Sequence, residues 1–376
     1  GGLDSSTILH YASSASSSRL RTFSISFNGH SFDETPWIKE VVARYGSEHE
    51  QLDLNPQLDL EGAIRELSYY SDEPSADAGA LPVWFLSKLC RRHVTVAFSG
   101  EGADEVFGGY LTYRANRIAQ AVRRMPRTAI RAALKAMSAW PASNEKISLE
   151  YKIKRLLQGS LLPAEQAHVY WNGTFSEAEK AALVTHPLPG SMIDLLAPLQ
   201  AAVPGDGVSP FLVWDQRNYL PDDILVKSDR MSMAHSIEVR PPFLDHRIIE
   251  FAATLPTSLK IRGKRQKLVL AELMQPHLTH SITRRSKIGF DIPAHEWFRG
   301  PLRSLLMETL DWAQSEHPDL FRFERIWDLT QRHMSRTLNV GYHLWGLMTL
   351  FLWMRRWNIS SAPSFQTRAV PLTVET

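Results

Sequence analysis

The first ~110 residues of the chain keep changing period, and that alternation restricts the fold more than any other feature of the sequence. Thr22–Phe27 (TFSISF) and His93–Phe98 (HVTVAF) are short runs rich in β-branched and aromatic residues, and Glu50–Leu54 (EQLDL) is a weaker one. Helical patterns lie around them: Glu34–Tyr45, opened by Asp33, then Leu60–Tyr70 and Pro82–Arg92. Strand, helix, strand, helix predicts an α/β fold with a parallel, doubly wound sheet, whose crossovers are right-handed. Ligands of such sheets sit beyond the carboxyl ends of the strands, so chemistry is to be sought in the loops that leave them.

From about Ala115 the β-signal fades. Ala115–Ala139 is a basic amphipathic pattern broken at Pro126. Leu149–Leu157, Glu177–Leu183, Pro210–Asp215, Gln266–Leu273 and Tyr342–Met354 then read as helices between Pro, Gly and Ser. The expected organisation is a core over 1–114, a mostly helical part over 115–360 and an unordered tail over 361–376. The most apolar stretch, Leu344–Met354, is far short of the ~20 residues that span a bilayer and reads as a buried helix. Lys plus Arg number 42 and Asp plus Glu 40, a net charge of +2, which gives no reason to expect nucleic acid or an anionic membrane as partner. The single cysteine, Cys90, rules out an intramolecular disulfide framework; with no signal peptide at the start, a cytoplasmic protein is expected. No histidine pair has HExxH spacing, so a zinc site is not expected.

The chain opens GGLDSST. Gly1 and Gly2, followed by Asp4, Ser5 and Ser6 and then an apolar-periodic run, describe a tight loop entering a helix. Such a loop aims backbone N–H groups and hydroxyls at one anion. No GxxxxGK[ST] spacing is present and no lysine follows, so it is not a Walker A loop; hydroxyls with a carboxylate suit a pyrophosphate partly neutralised by a metal. The same residues also suit an ordinary glycine turn with Ser or Asp capping. A phosphate loop of this kind follows a strand, and the reading expects one upstream of Gly1.

The second loop, SGEGADEVFGGY (Ser99–Tyr110), leaves the HVTVAF run directly. Gly100 and Gly102 permit close backbone approach. Glu101, Asp104 and Glu105 place three carboxylates within five residues, and like charges so close invite a cation such as Mg²⁺, which prefers hard oxygens. Acidic residues are also favoured in any first helical turn, which accounts for Asp104 and Glu105 but not for the glycines around Glu101.

At these two loops the sequence resembles the synthetase domain of glutamine-dependent, class B asparagine synthetases, members of the PP-loop ATP pyrophosphatases. That family's first loop is SGGLDSS, of which GGLDSS stands here, and its second matches Ser99–Tyr110 throughout. Ser31–Glu34 (SFDE), Leu225–Arg247 (LVKSDRMSMAHSIEVRPPFLDHR) and Lys287–Phe298 (KIGFDIPAHEWF) look like the same family. The resemblance implies a PP-loop sheet of the adenine nucleotide alpha hydrolase-like kind, with the helical part completing the active site. β-Lactam synthetases and lasso-peptide cyclases share the fold and the first loop, so intramolecular amide formation stays open beside asparagine synthesis, as does an inactive nucleotide-binding fragment.

Carried over residue by residue, the resemblance makes Gly1, Gly2, Asp4, Ser5 and Ser6 the pyrophosphate cradle and Asp4 and Asp104 the Mg²⁺ ligands. Ser99 and Gly100 would lie beside AMP and Ile25 beside adenine. Glu101 would handle the proton of the attacking ammonia or hold the substrate in line, and Lys287 would meet the α-phosphate. The implied reaction takes ATP, L-aspartate and ammonia to asparagine, AMP and pyrophosphate; a homodimer is compatible with it. Lys227, Asp229 and Arg230 are expected to form a buried ion network supporting the site. Ser71–Gly79 (SDEPSADAG) suits either a lip for the carboxylic acid or a plain connection. Cys90, in an apolar helical pattern, reads as a structural thiol, so the glutamine-hydrolysing domain of complete family members is expected outside this sequence.

Overall fold

The computed structural model describes residues 1–27, 33–55, 58–137, 149–186, 207–285, 289 and 292–359. The expected tail 361–376, Ser31, Phe32 and Lys287 lie outside the described residues.

The amino-terminal part runs α1 (Leu3–Ala15), β1 (Arg21–Ser26), α2 (Thr35–Tyr45), β2 (Glu48–Asp53), α3 (Leu60–Tyr70), α4 (Ala80–Cys90), β3 (Val96–Phe98) and α5 (Ala103–Phe107). β1 and β2 pair in parallel from Arg21 opposite Glu48 to Ser26 opposite Asp53, with α2 as the crossover. Gly46 ends α2 in the left-handed region, its N–H returning to the Val42 carbonyl. The parallel α/β alternation is therefore present, in small parallel ladders. β3 pairs in parallel with a strand from far downstream, β4 (Glu238–Arg240), and the described residues hold two separate two-stranded ladders. β1 and β3 are linked through side chains instead: His93, just ahead of β3, stacks on Phe23 with ring centroids 5.8 Å apart.

The helical part follows as α6 (Leu111–Val122), α7 (Arg127–Met137), α8 (Leu149–Ser160), α9 (Ala164–Asn172), α10 (Glu177–Leu183) and α11 (Ser209–Trp214). Pro126 separates α6 from α7 where the missing N–H was expected to break the pattern. Ser176 and Glu179 form a reciprocal capping box that starts α10. Asp215–Leu225 is wound as a π-helix with Pro221 inside, a rare geometry that often marks functional sites. α12 (Val226–Met233) continues from it, and after β4 come α13 (His246–Thr254), α14 (Thr257–Lys260), α15 (Leu268–Met274), α16 (His280–Thr283), α17 (Ala294–Trp297), α18 (Arg303–Glu316), α19 (Phe323–Met334) and α20 (Gly341–Arg356).

Among the described residues, three apolar clusters hold these elements. In the largest, α3 contributes Leu60, Ala63, Ile64 and Leu67, one face at helical spacing, and α20 contributes Leu344, Trp345, Met348 and Phe351. The strongly apolar Leu344–Met354 stretch is thus a core helix, and no helix among the described residues is long and apolar enough to cross a membrane. A second cluster joins Val41 of α2 to Ala103, Val106 and Phe107 of α5 and Met274 of α15. That cluster brings the two glycine-bearing loops to one place. Cys90 is buried, and burial pushes its thiol up to about 12.

Candidate functional site

The GGLDSS segment forms a turn into α1 with Gly2 as N-cap in extended conformation. Ser5 Oγ donates to the Gly2 carbonyl at 3.3 Å and the Ser6 N–H to the same oxygen at 3.1 Å. Asp4 lies in the first turn of α1 and Asp104 in the first turn of α5, where the N-terminal dipole favours negative charge. Gly102, the N-cap of α5, has φ +86° and faces Leu244, so a side chain there meets both strain and a clash. Gly100 lies directly against the first loop: a Cβ on it would stand 3.0 Å from Asp4 Cβ and 3.3 Å from Ser5 N. The two loops touch through their backbones, and the approach that suggested a ligand is first of all an approach to each other.

Between the two helix starts stands a residue the sequence did not single out. Lys267 Nζ lies 2.7 and 2.6 Å from the two carboxylate oxygens of Asp4 and 2.8 Å from Asp104 Oδ1. The lysine side chain is 7% exposed, so two carboxylates share one buried ammonium. Lys267 holds φ +48° at the N-cap of α15, a left-handed conformation that costs a non-glycine residue about 1–2 kcal/mol. Its neighbour Gln266 donates to the Gly109 carbonyl at 2.9 Å and also reaches the Tyr110 carbonyl. Two adjacent side chains thus turn toward the acidic loop, and Gly109 leaves the room, since a Cβ there would overlap Asp104 and Lys267.

Around this centre several polar atoms are buried with no hydrogen-bond partner among the described residues: Ser6 Oγ, Ser99 Oγ and Glu101 Oε2. Orphaned polar atoms are costly in a folded interior, and the three on these facing turns are groups that a polar ligand would satisfy. Glu105 is 1% exposed and accepts a hydrogen bond from the Tyr110 hydroxyl at 2.6 Å, while its carbonyl accepts from Gln216 Nε2 at 3.0 Å. Burial raises its carboxyl above the usual range, against the Tyr110 bond. Glu105 therefore anchors the loop on the Tyr110 side, while Asp104 turns to the Lys267 ammonium.

The Ser71–Gly79 loop carries Asp77, whose carboxylate pairs with Lys227 Nζ at 2.5 Å. Burial opposes the Lys227 charge, but Asp77, Asp223 and Glu101 outweigh it and raise its pKa. Asp223, on the π-helix, is pushed up to about 7 by burial and by the Asp77 carboxylate. Of the expected ion network only Lys227 is largely covered, its side chain 11% exposed. Asp229 and Arg230 are exposed on the next turn, where Arg230 pairs with Asp72 and Asp229.

Gly1, Gly2, Asp4, Ser5, Ser6, Ser99, Gly100, Glu101 and Asp104 all fall in this one region. Ile25 does not offer its side chain to it: at 5% exposed, that side chain belongs to the large core. Lys287 lies outside the described residues, but Arg285, two positions earlier, donates to the Gly1 carbonyl at 3.1 Å, pairs with Glu34 and lies over Trp37. Besides Lys267, the sequence reading missed Gln266, Arg285 and the Asp77–Lys227 pair. The one available signal was a lysine at the mouth of a predicted helix, where the dipole disfavours a cation.

The donor set suits a hard divalent cation. Asp4 and Asp104 already converge on one positive charge, and Mg²⁺ characteristically takes one or two carboxylates and completes its shell with water and phosphate oxygens. Among the described residues no group of three or more His, Cys, Asp or Glu side chains is placed to hold a metal alone. The pair therefore fits a metal that arrives with a polyphosphate.

A family model described as asparagine synthase matches residues 1–355. Asparagine synthetase (glutamine-hydrolyzing) 1 of Bacillus subtilis is 27% identical, the match covering 94% of this chain and 54% of that protein. A putative asparagine synthetase (glutamine-hydrolyzing) of Mycobacterium tuberculosis is 31% identical, covering 94% and 53%. Amidase chry2 of Gibberella zeae is 22% identical, covering 90% and 54%. The chain spans about half the length of these curated relatives.

Proposed function

Because the chain belongs to the asparagine synthase family, whose synthetase domain it is, we propose that it performs ATP-dependent amide formation on L-aspartate. The side-chain carboxylate of aspartate attacks the α-phosphorus of ATP, pyrophosphate leaves, and an acyl-adenylate remains. Ammonia then attacks the acyl carbon, AMP leaves, and after loss of a proton the product is asparagine. Activation is required because a free carboxylate is a poor acyl donor, whereas AMP is a good leaving group.

The observation that carries this reading is the meeting of Asp4 and Asp104, from two loops a hundred residues apart, on one buried ammonium. Asp4 and Asp104 would hold Mg²⁺, which when bound neutralises phosphate charge and polarises the phosphoryl group. The Gly1–Ser6 turn supplies N–H groups and hydroxyls to the pyrophosphate. Ser99 and Gly100 flank AMP. Ile25, with its side chain in the core, can meet adenine only through its main chain. Glu101, with one carboxylate oxygen unpartnered, takes a proton from the attacking nitrogen. Lys287 is assigned to the α-phosphate, supported by the Arg285 anchor beside Gly1. The two short ladders belong, in this reading, to one doubly wound PP-loop sheet.

The test is pyrophosphate–ATP exchange and AMP release with aspartate and ammonium as substrates. Exchange that depends on aspartate, and AMP formed in step with asparagine, is the expected result. AMP formation indifferent to every amino acid offered overturns the substrate, and product analysis revealing a ring points to intramolecular amide formation instead.

A further inference from the structure

Lys267 occupies the position between Asp4 and Asp104 that the proposed reaction reserves for a divalent cation. Its ammonium lies 2.6 to 2.8 Å from oxygens of both carboxylates, a close contact for an ion pair, and its side chain is nearly sealed from water. The placement is enforced from several sides: the left-handed backbone at Lys267, the Gln266 bonds to Gly109 and Tyr110, and the absence of a side chain at Gly109. A doubly charged ion and an ammonium cannot share these oxygens, because two cations in one buried gap repel strongly. For the metal to enter, the ammonium has to leave both carboxylates, and a buried ammonium needs another anion to go to. The polyphosphate is the anion that the proposed reaction brings.

We propose that Lys267 is a resident counter-ion that holds the two carboxylates together in the nucleotide-free protein and excludes the metal until the polyphosphate draws it away. This rests on the reading of Asp4 and Asp104 as the metal ligands of an ATP site. Metal and nucleotide then bind as a coupled pair, each strengthening the other by the same factor. The lysine also keeps the two loops in register while no ligand is present, since unneutralised carboxylates so close would push apart.

The experiment measures Mn²⁺ affinity by the resonance of the free aquo ion, for the parent protein and for Lys267→Met, with and without α,β-methylene-ATP. The parent protein is expected to bind Mn²⁺ weakly alone and about tenfold or more tightly with the analogue. In Lys267→Met, Mn²⁺ alone is expected to bind about tenfold tighter than to the parent, with much less further gain from the analogue. Should that variant fail to fold, the parent protein still decides the matter. Calorimetric titration of the analogue with and without Mn²⁺ must give the same coupling factor, and equal Mn²⁺ affinity with and without analogue overturns the proposal. If Mn²⁺ and analogue bind together to both proteins but Lys267→Met gains nothing for metal alone, the counter-ion role fails while the ATP site stands. If neither protein binds the analogue, the ATP reading fails and the proposal falls with it.

Discussion

Gly100 faces Asp4 so closely that a methyl group on its α-carbon would stand 3.0 Å from Asp4 Cβ. Gly100→Ala is therefore expected to part the two loops. Overpacking of this kind costs about 1–3 kcal/mol, and here it falls on the site. Calorimetry should find nucleotide affinity reduced roughly tenfold or more, with secondary structure intact by circular dichroism. Unchanged affinity would mean that the two loops do not grip the nucleotide jointly.

Asp104→Asn keeps the shape of the side chain and removes its charge. Loss of a charged group that stabilises a developing phosphoryl charge costs about 10²–10³ in rate, and pyrophosphate–ATP exchange is expected to fall by that factor. Asp4→Asn should behave alike, since both carboxylates meet the same cation. A variant retaining more than about a tenth of parent exchange would remove Asp104 from the metal site.

Tyr110→Phe removes the hydroxyl that donates to the buried Glu105 carboxylate. Urea unfolding should report a loss of about 1–3 kcal/mol, the cost of taking one hydrogen bond from a buried polar group. Glu105 holds its proton more tightly when folded than when unfolded, so its contribution to stability falls as pH rises above the ordinary carboxylate value. Without Tyr110 the folded carboxyl is pushed further up, and the decline with pH should steepen.

Asp77 and Lys227 tie the Ser71–Gly79 loop to α12. Breaking a fully buried pair by removing one partner costs about 3–5 kcal/mol; with side-chain exposures of 21% and 11%, about 2–3 is expected for Lys227→Met. Adding Asp77→Asn should recover part of that loss in a double-mutant cycle. A coupling energy near zero would show that the pair does not position the loop.

His333 is buried, accepts the Val340 N–H at Nδ1 and meets the His295 carbonyl through Nε2. Burial, helped by the Arg299 charge, lowers its pKa to about 4. The folded protein keeps it neutral while the unfolded chain takes up a proton below about 6.5, so its share of stability is lost as pH falls from there toward 4. Melting temperatures of the parent protein should drop through that window, and those of His333→Gln less steeply.

Both loops were legible in the sequence because their information is local. Glycines at the entry to a helix, followed by hydroxyls or carboxylates, specify a turn geometry within seven to twelve residues. Pro126, the capping box at Ser176 and the apolar run in α20 were readable for the same reason. The π-helix over Asp215–Leu225 was not, because its wide turn is set by what packs against it and no residue preference encodes it. Nor was the pairing of β3 with β4, which joins segments separated by over a hundred residues, so that the expected single sheet is seen as two ladders.

Residue order alone fixed the alternating periods, the two anion-ready turns and the family to which they belong, since each is written in contiguous residues and needs only backbone preference and burial to be read. Which charges meet was decided by the folded chain. Lys267 sits among Lys264 and Arg265 with only its place at a helix start to distinguish it from a solvated cation, and its partners lie 263 and 163 positions away. Lys227 found Asp77 across 150 positions while Asp229 and Arg230, beside it in sequence, stayed in water. An ion pair depends on distance in space and on the water removed around it, and both are properties of packing that no local pattern carries.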